Sequence, residues 1–416
     1  MVNRSPRLIG TTYGLFQKMT ISFFATTDNK VHRFLRSRVS GAYSMTSILA
    51  MEPLVQEVMD LNLTKLGGFA DRGETLPLDK WANYFTFDVV GQLAMGGMIG
   101  FLQQGKDIDG IIQSIHDGFW LMANMGNLPL QMLWFNNPLY KWFVRTLGGT
   151  RLNAFDVFLE WLNNRVEQRM THGLAPGQRR DMLQHFIEVK DPQGLPVKKG
   201  DVMIEGVNIL GAGADTTTIG ILACMGTLLT HPEAKQRLVK EIDDAYMTLG
   251  LEGDREISFK EAEKLPYLSA IVCESTRLHP SIQYQLPRNV PAEGVQIGPH
   301  FVPRGSVCGV SPMSMNRSQE IFGKDADEFR PERWIAESPE DEERIKRERS
   351  LLVTFGMGSR SCVGKNLATV EIYKYIAQFF RHFDADVVDK NKPWKCKTQW
   401  FAFQRNFNVR LTRRQH

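Results

Sequence analysis

At 416 residues, 43% of them hydrophobic and 23% charged, the chain is long enough to bury a large core and too apolar to be disordered. A net charge of +4 and a pI near 8.7 are too mild to imply a nucleic-acid partner, and no base-binding motif occurs. The five cysteines (224, 273, 308, 362 and 396) are scattered without a Cys-x-x-Cys pair, so they show neither a disulfide framework nor a zinc site, and a reducing, cytosol-facing setting is the simplest inference.

The first 20 residues hold no signal peptide, hydrophobic anchor or proline-rich hinge. His32 and Arg36 follow at i, i+4 spacing, which projects both from one helical face. An aromatic-rich segment spans 119–143, and amphipathic patterns predict helices over 154–169, 180–189 and 233–248. Between them runs an apolar stretch, 202–229, long enough to cross a bilayer at roughly twenty residues. Glu205, Asn208 and Asp215 lie inside it, and an acid near the centre is costly in lipid. Its middle, Ala212-Gly213-Ala214-Asp215-Thr216-Thr217, combines glycines with threonines; these are poor helix formers whose hydroxyls bond back to the preceding turn and bend helices.

Glu274 and Arg277 sit at i, i+3, so they can pair on one helical face that Pro280 then terminates; alone, such a pair is common and contributes little. Short strands are expected over 298–303 and 306–310, and the charged stretch 337–349 reads as a solvated helix or loop. The segment Phe329-Arg330-Pro331-Glu332-Arg333-Trp334 lies between them. Near the C-terminus comes Phe355-Gly-Met-Gly358-Ser-Arg360-Ser-Cys362-Val-Gly364, with a helical run over 366–380 behind it. This places one thiol in a glycine-rich loop at a helix N-terminus, where dipole and free N–H groups favour thiolate. A lone cysteine is ordinarily a small buried hydrophobe, and the surrounding pattern overturns that reading here.

That pattern resembles the haem loop of the cytochrome P-450 family, Phe-x-x-Gly-x-Arg-x-Cys-x-Gly, matched by Phe355, Gly358, Arg360, Cys362 and Gly364. The three further segments occur in the order the family uses. The resemblance implies a mainly α haem-thiolate fold with small β-sheets, residues 20–416 forming one domain after a remnant segment 1–19. It implies haem b ligated through its iron by Cys362, a thiolate ligand that favours O–O cleavage. Arg360, Arg288, His32 and Arg36 would together hold the propionates, for which the planar guanidinium fork is suited, although each taken singly reads first as a solvated surface charge. Asp215 and Thr216 would hold water and pass protons on the distal side, which argues for monooxygenation over oxygen-independent isomerisation. Glu274, Arg277 and Arg333 would form a structural triad bracing the loop.

The implied reaction inserts one atom of O₂ into a small apolar substrate lined by residues such as Val207, Asn208, Leu210 and Phe401, with the 119–143 segment as roof or as ordinary core. Electrons would come from NADPH through a flavoprotein NADPH–cytochrome reductase, with cytochrome b5 as a further donor, and the chain would act as a monomer. Lys365, Lys374 and Arg381 would face that donor or form a solvated helix face. The stretch 38–55 and the flank behind Cys362 resemble fungal members related to pisatin demethylase, many of which tailor secondary metabolites. In the family a much longer stretch precedes the His-x-x-x-Arg helix, carrying an endoplasmic-reticulum anchor and a first lobe. The chain therefore reads as N-terminally truncated, with a non-catalytic haem-binding relic or sensor as the alternative.

Overall fold

A computed structural model describes residues 21–125, 137–139, 142, 146, 155–177, 179–190, 194–251, 255–398 and 400–415. In chain order its longer helices are α1 (Asn29–Ser40), α2 (Glu52–Arg72), α3 (Leu78–Ala94), α4 (Ile111–Met125), α5 (Asp156–His172), α6 (Met182–Glu188), α7 (Lys199–Thr230), α8 (Pro232–Thr248), α9 (Pro266–Leu278), α10 (Pro339–Leu351) and α11 (Lys365–His382). The strands are β1 (Thr75–Pro77), β2 (Arg288–Asn289), β3 (Val295–Ile297), β4 (His300–Val302), β5 (Val307–Cys308), β6 (Phe383–Val387), β7 (Lys395–Thr398), β8 (Ala402–Arg405) and β9 (Asn408–Arg413). The charged 337–349 stretch is thus a helix. α9 stops at Leu278, two residues before Pro280, as the steric restriction preceding proline requires. The predicted segment 1–19, and most of 126–154 including the second half of the aromatic-rich 119–143, lie outside the described residues.

Contacts divide the chain into two compact units. The first takes Met1–Gly41, Asp107–Gly211 and Tyr284–Ser311. Within it, Asp28 caps α1 by accepting from the N–H groups of Lys30 (2.8 Å) and Val31 (3.0 Å). Phe119 on α4 meets Phe155 edge-on at 5.6 Å, and Ser114 Oγ accepts from the N–H of Phe158 at the start of α5. α5 is tied to α6 by a buried bidentate pair, Arg169 donating to both oxygens of Asp181 at 2.8 Å. Asp181 also caps α6 through the N–H of Gln184. Two antiparallel strand pairs, β2–β5 and β3–β4, complete this unit.

The second unit takes Ala42–Lys106, Ala212–Gln283 and Pro312–His416. Its core is built from the apolar faces of α2, α3, α8, α9 and α11 and the latter part of α7, with Phe85, Met225, Ile271, Val370 and Phe379 fully buried. Each such side chain contributes about 1.5–3 kcal/mol by leaving water, so these helices form a stiff frame. Aromatic packing reinforces α11, where Tyr375 stacks on Phe379 at 5.9 Å and meets Phe85 at 5.2 Å. A three-stranded antiparallel sheet, ordered β1-β9-β6, sets Leu76 opposite Val409 and Ala385 opposite Leu411.

α7 is the one helix among the described residues long and apolar enough to cross a membrane by length and composition, and most of that stretch is buried inside the protein. Its weak helix formers are held by burial. A Cβ at Gly220 would meet Ile372 Cδ1 at 2.8 Å, and one at Gly226 would meet the Trp394 ring at 2.9 Å, so glycine there lets neighbours close in. The threonine hydroxyls bond back as expected, yet the helix runs unbroken through them.

Candidate active site

The thiol loop is closed by its own backbone. Gly356 N–H donates to Val353 O (2.9 Å), Cys362 N–H to Phe355 O (2.7 Å) and Ser361 N–H to Gly358 O (3.1 Å). Gly356 and Gly358 take φ of +67° and +66°, which side chains disfavour, and Gly358–Arg360 forms a 3-10 turn. Gly364 then caps α11, so Cys362 stands three residues ahead of the helix's first turn. Gly364 has an ordinary φ of −82°, and a Cβ there would meet only Cys362 Sγ at 3.9 Å. The chain's own atoms therefore give no reason for glycine at 364, whereas a flat group lying against the loop would.

The cysteines differ sharply in setting. Burial pushes the thiols of Cys224 and Cys273 up to about 12, which keeps them neutral. Cys362 is exposed at the foot of α11, accessible to a ligand. An accessible soft sulfur donor beside glycine-smoothed backbone fits a haem. Phe355 is half-buried under the loop, with Lys365 Nζ 5.8 Å from its ring centre.

The latter part of α7 presents Ala212, Gly213 and Thr216 to an accessible side and buries Ala214, Asp215, Thr217 and Thr218. Thr216 Oγ1 donates to Ala212 O at 2.6 Å, while Ser281 Oγ donates to Thr216 O at 2.7 Å. Asp215, though adjacent in sequence, turns toward α3, where Asn83 Nδ2 donates to its Oδ1 at 2.9 Å. Asn83 also donates to Thr218 Oγ1, which lies 2.7 Å from Thr86 Oγ1. Sequence reasoning missed Asn83, Thr86 and Thr218. The available signal was a pair of polar residues, i and i+3, inside the otherwise apolar run of α3, since buried polar groups must find partners.

Glu274 anchors a wider network than a triad. It accepts from Arg277 Nε and Nη2 (2.8 Å each), Arg333 Nε (3.0 Å), Trp334 Nε1 (2.8 Å) and the Arg330 N–H (3.0 Å). Burial opposes its ionisation, but the Arg277 hydrogen bonds and the Arg277 and Arg333 charges outweigh it, holding the carboxyl below its usual range. Arg277 also donates to the carbonyls of Asn316 (2.7 Å), Ala326 (2.5 Å) and Glu328 (3.2 Å). Asn316 accepts from the Val353 N–H and donates to Thr354 Oγ1, so the network reaches the first residues of the thiol loop.

In the first unit, His32 is buried and Arg36 half-buried one turn further along α1. Arg288 is exposed on β2, its Nη1 donating to the nearby carbonyls of Leu286 and Pro287. Arg360, half-buried in the thiol loop, belongs to the second unit. Glu205, a polar interruption in the apolar run of α7, is buried and accepts from Asn208 Nδ2 at 3.0 Å, and burial pushes its carboxyl up to about 7. Ser22 Oγ donates to the same Asn208 at 2.9 Å. Of the proposed lining residues, Val207 and Asn208 are half-buried, whereas Leu210 and Phe401 are buried. One expectation needs correction. Lys374 cannot face an electron donor, because it is buried and paired with Glu52 at 2.8 Å; Arg381 is likewise engaged with Asp243 at 3.0 Å.

Comparison with known proteins places this geometry. The family model described as Cytochrome P-450 matches residues 6–408. A cytochrome P-450 monooxygenase of Aspergillus terreus is 35% identical over 87% of this chain and 72% of its own length. Cytochrome P-450 monooxygenase ACRTS1 of Alternaria alternata is 32% identical over 91% of this chain and 99% of its own. The crystal structure of the cytochrome P450DA haem domain is 18% identical and superposes with a TM-score of 0.73 over 91% of this chain and 76% of that one. A triple mutant of that domain gives 0.78 at 17% identity, covering 99% of this chain and 84% of that one.

Proposed function

The chain belongs to the cytochrome P-450 family and is a monooxygenase-type oxidoreductase, and from that premise we propose that it inserts one oxygen atom of O₂ into an apolar substrate as a tailoring step of fungal secondary metabolism. The observation that carries this is the accessible Cys362 thiol on its glycine-bent loop at the foot of α11. Haem supplies the redox chemistry when bound, its thiolate ligand favouring O–O cleavage. Cys362 Sγ would hold it as thiolate, a form the N-terminal end of α11 favours. Arg360, His32, Arg36 and Arg288 would pair with the propionates, and Phe355, Gly358 and Gly364 would shape the loop beneath the macrocycle. Residues 20–416 would work as one haem-thiolate domain, acting as a monomer on the cytosolic side.

Asp215 and Thr216 would hold and move protons on the other side of the site: a carboxylate that gives and takes protons beside a hydroxyl that can order water. The buried Glu274–Arg277–Arg333 network would keep the segment leading to Cys362 fixed. Electrons would come from NADPH through a flavoprotein reductase, cytochrome b5 being a further donor, so that R–H, O₂, NADPH and a proton yield R–OH, water and NADP⁺. The similarity to monooxygenases of Aspergillus terreus and Alternaria alternata supports the fungal part of this reading. The test is turnover of an apolar polyketide and terpenoid panel by the haem-loaded chain with reductase and NADPH under ¹⁸O₂. A product heavier by one ¹⁸O atom is expected. Haem binding without NADPH consumption on any compound would favour a relic or sensor.

A further inference from the structure

Asn83 occupies an unusual position on α3. Its amide carries two N–H bonds, and both are directed at named acceptors: Asp215 Oδ1 at 2.9 Å and Thr218 Oγ1 at 3.1 Å. Thr218 Oγ1 lies 2.7 Å from Thr86 Oγ1 and 3.1 Å from Ala214 O, and Thr86 Oγ1 lies 3.1 Å from Asn83 O. The hydroxyl protons can be arranged in two ways around this group. Both leave the amide in one orientation, because reversing it would aim a carbonyl oxygen at a carboxylate.

Asn83, Thr86, Asp215 and Thr218 are 8%, 0%, 1% and 3% exposed, so these bonds form away from water, where a charge-assisted bond is strong and a missing one costly. A contact needed only for packing would be met at less desolvation cost by apolar residues of the same size. The effect is to hold the Asp215 carboxylate on the α3 side of α7. Thr216, the next residue, projects to the accessible side, its hydroxyl donating to Ala212 O. Acid and hydroxyl are therefore neighbours in sequence held on different faces, and the group that fixes the acid lies on another helix.

We propose that Asn83 is a positioning residue for Asp215, setting the place from which that acid moves protons toward the Thr216 side of α7. The inference rests on the reading of Asp215 as the proton-moving acid. Asn83 acts through Asp215, with Thr86 and Thr218 holding the amide.

The test uses the haem-loaded chain with reductase and NADPH and no added substrate, so that it needs no identified ligand. NADPH oxidation per carbon-monoxide-binding haem is measured in H₂O and D₂O for wild type, Asn83→Leu, Asn83→Ala, Asp215→Asn and the Asn83→Leu/Asp215→Asn double variant. Asn83→Leu and Asp215→Asn should each slow oxidation by about tenfold or more and raise the solvent isotope effect. The double variant should be no slower than the slower single one, because both act on one step. Thermal unfolding provides a readout independent of turnover: the two Tm losses should be non-additive. Additive losses would show that the side chains do not interact and would overturn the proposal. So would Asn83→Leu losing Tm while keeping wild-type rate and isotope effect; should that variant not fold, Asn83→Ala is judged by the same criteria. If Asp215→Asn is slow and both Asn83 variants are not, the Asn83 inference alone fails. If Asp215→Asn matches wild type, the reading of Asp215 falls, and the inference with it.

Discussion

Glu274→Gln is the sharpest probe of the frame that carries the thiol loop. The substitution keeps side-chain volume but removes the charge that accepts from Arg277, Arg333, Trp334 and the Arg330 N–H, all of them bonded to the carboxylate at 2.8–3.0 Å. Glu274 and Arg277 are fully buried and Arg333 nearly so, so Arg277 would lose its carboxylate partner while Arg333 would keep Asp325 at 3.3 Å. Breaking one partner of a buried pair costs about 3–5 kcal/mol, and the retained amide oxygen argues for the lower end. At about 2 °C per kcal/mol for a chain of this size, Tm should fall by roughly 6 °C.

Asp244→Asn is the control. Its pair with Lys240 is 51% and 76% exposed, and removing such a contact should cost less than about 0.5 kcal/mol, or about 1 °C. The assay is thermal unfolding of haem-loaded protein at pH 7, followed by far-ultraviolet circular dichroism. Because the folded Glu274 carboxyl is held below its unfolded value, its contribution is complete above about pH 4.3 and is lost as pH falls through the folded value. Wild type should therefore lose stability more steeply than Glu274→Gln on the acid side. A Tm for Glu274→Gln within 1 °C of the Asp244→Asn control, by the same magnitudes, would refute the view that this network carries the loop.

Gly226→Ala should destabilise by about 1–3 kcal/mol, read by urea unfolding, because the new methyl meets a Trp394 ring that already packs on Phe407 at 4.9 Å and has little room to move. Burial, with the Arg317 charge nearby, pushes the His279 imidazole down to about 4. The unfolded chain takes up that proton first, so wild-type stability should drop as pH falls from about 6.5, the ordinary histidine value, and His279→Gln should flatten that window in pH-dependent unfolding. Asp88→Ala should cost about 1.5–3 kcal/mol by the same urea assay, since its carboxylate accepts from the N–H groups of Gly100, Phe101 and Leu102 and anchors the turn after α3. An Asp88→Ala midpoint equal to wild type would mean those amides find other acceptors.

What could be read in the sequence was local. Periodicity located α5, α6 and α8 to within a few residues, and the i, i+3 spacing of Glu274 and Arg277 made their shared face visible. The glycine-rich loop around Cys362 was legible because its φ requirements are written in the residue types themselves. What stayed hidden depends on which buried face meets which. Asn83 and Thr86 gain meaning only when α3 is laid on α7, while Trp334 joins Glu274 from 60 residues away and Asn316 joins Arg277 from 39. Lys374 illustrates the opposite error, a basic residue that sequence places on a helix and that packing buries against Glu52. The β1-β9-β6 sheet joins residue 75 to residue 410, a register no local pattern announces.

The central claim is that Cys362 holds haem iron as a thiolate. It is tested most directly by the reduced, carbon-monoxide-minus-reduced absorption spectrum of the chain expressed with haem supply, alongside Cys362→Ser and Cys273→Ser. Wild type and Cys273→Ser should show the red-shifted Soret band of thiolate ligation, and Cys362→Ser should lose it. A red-shifted band that survives in Cys362→Ser, or a wild-type band only at the unshifted position, would contradict the account.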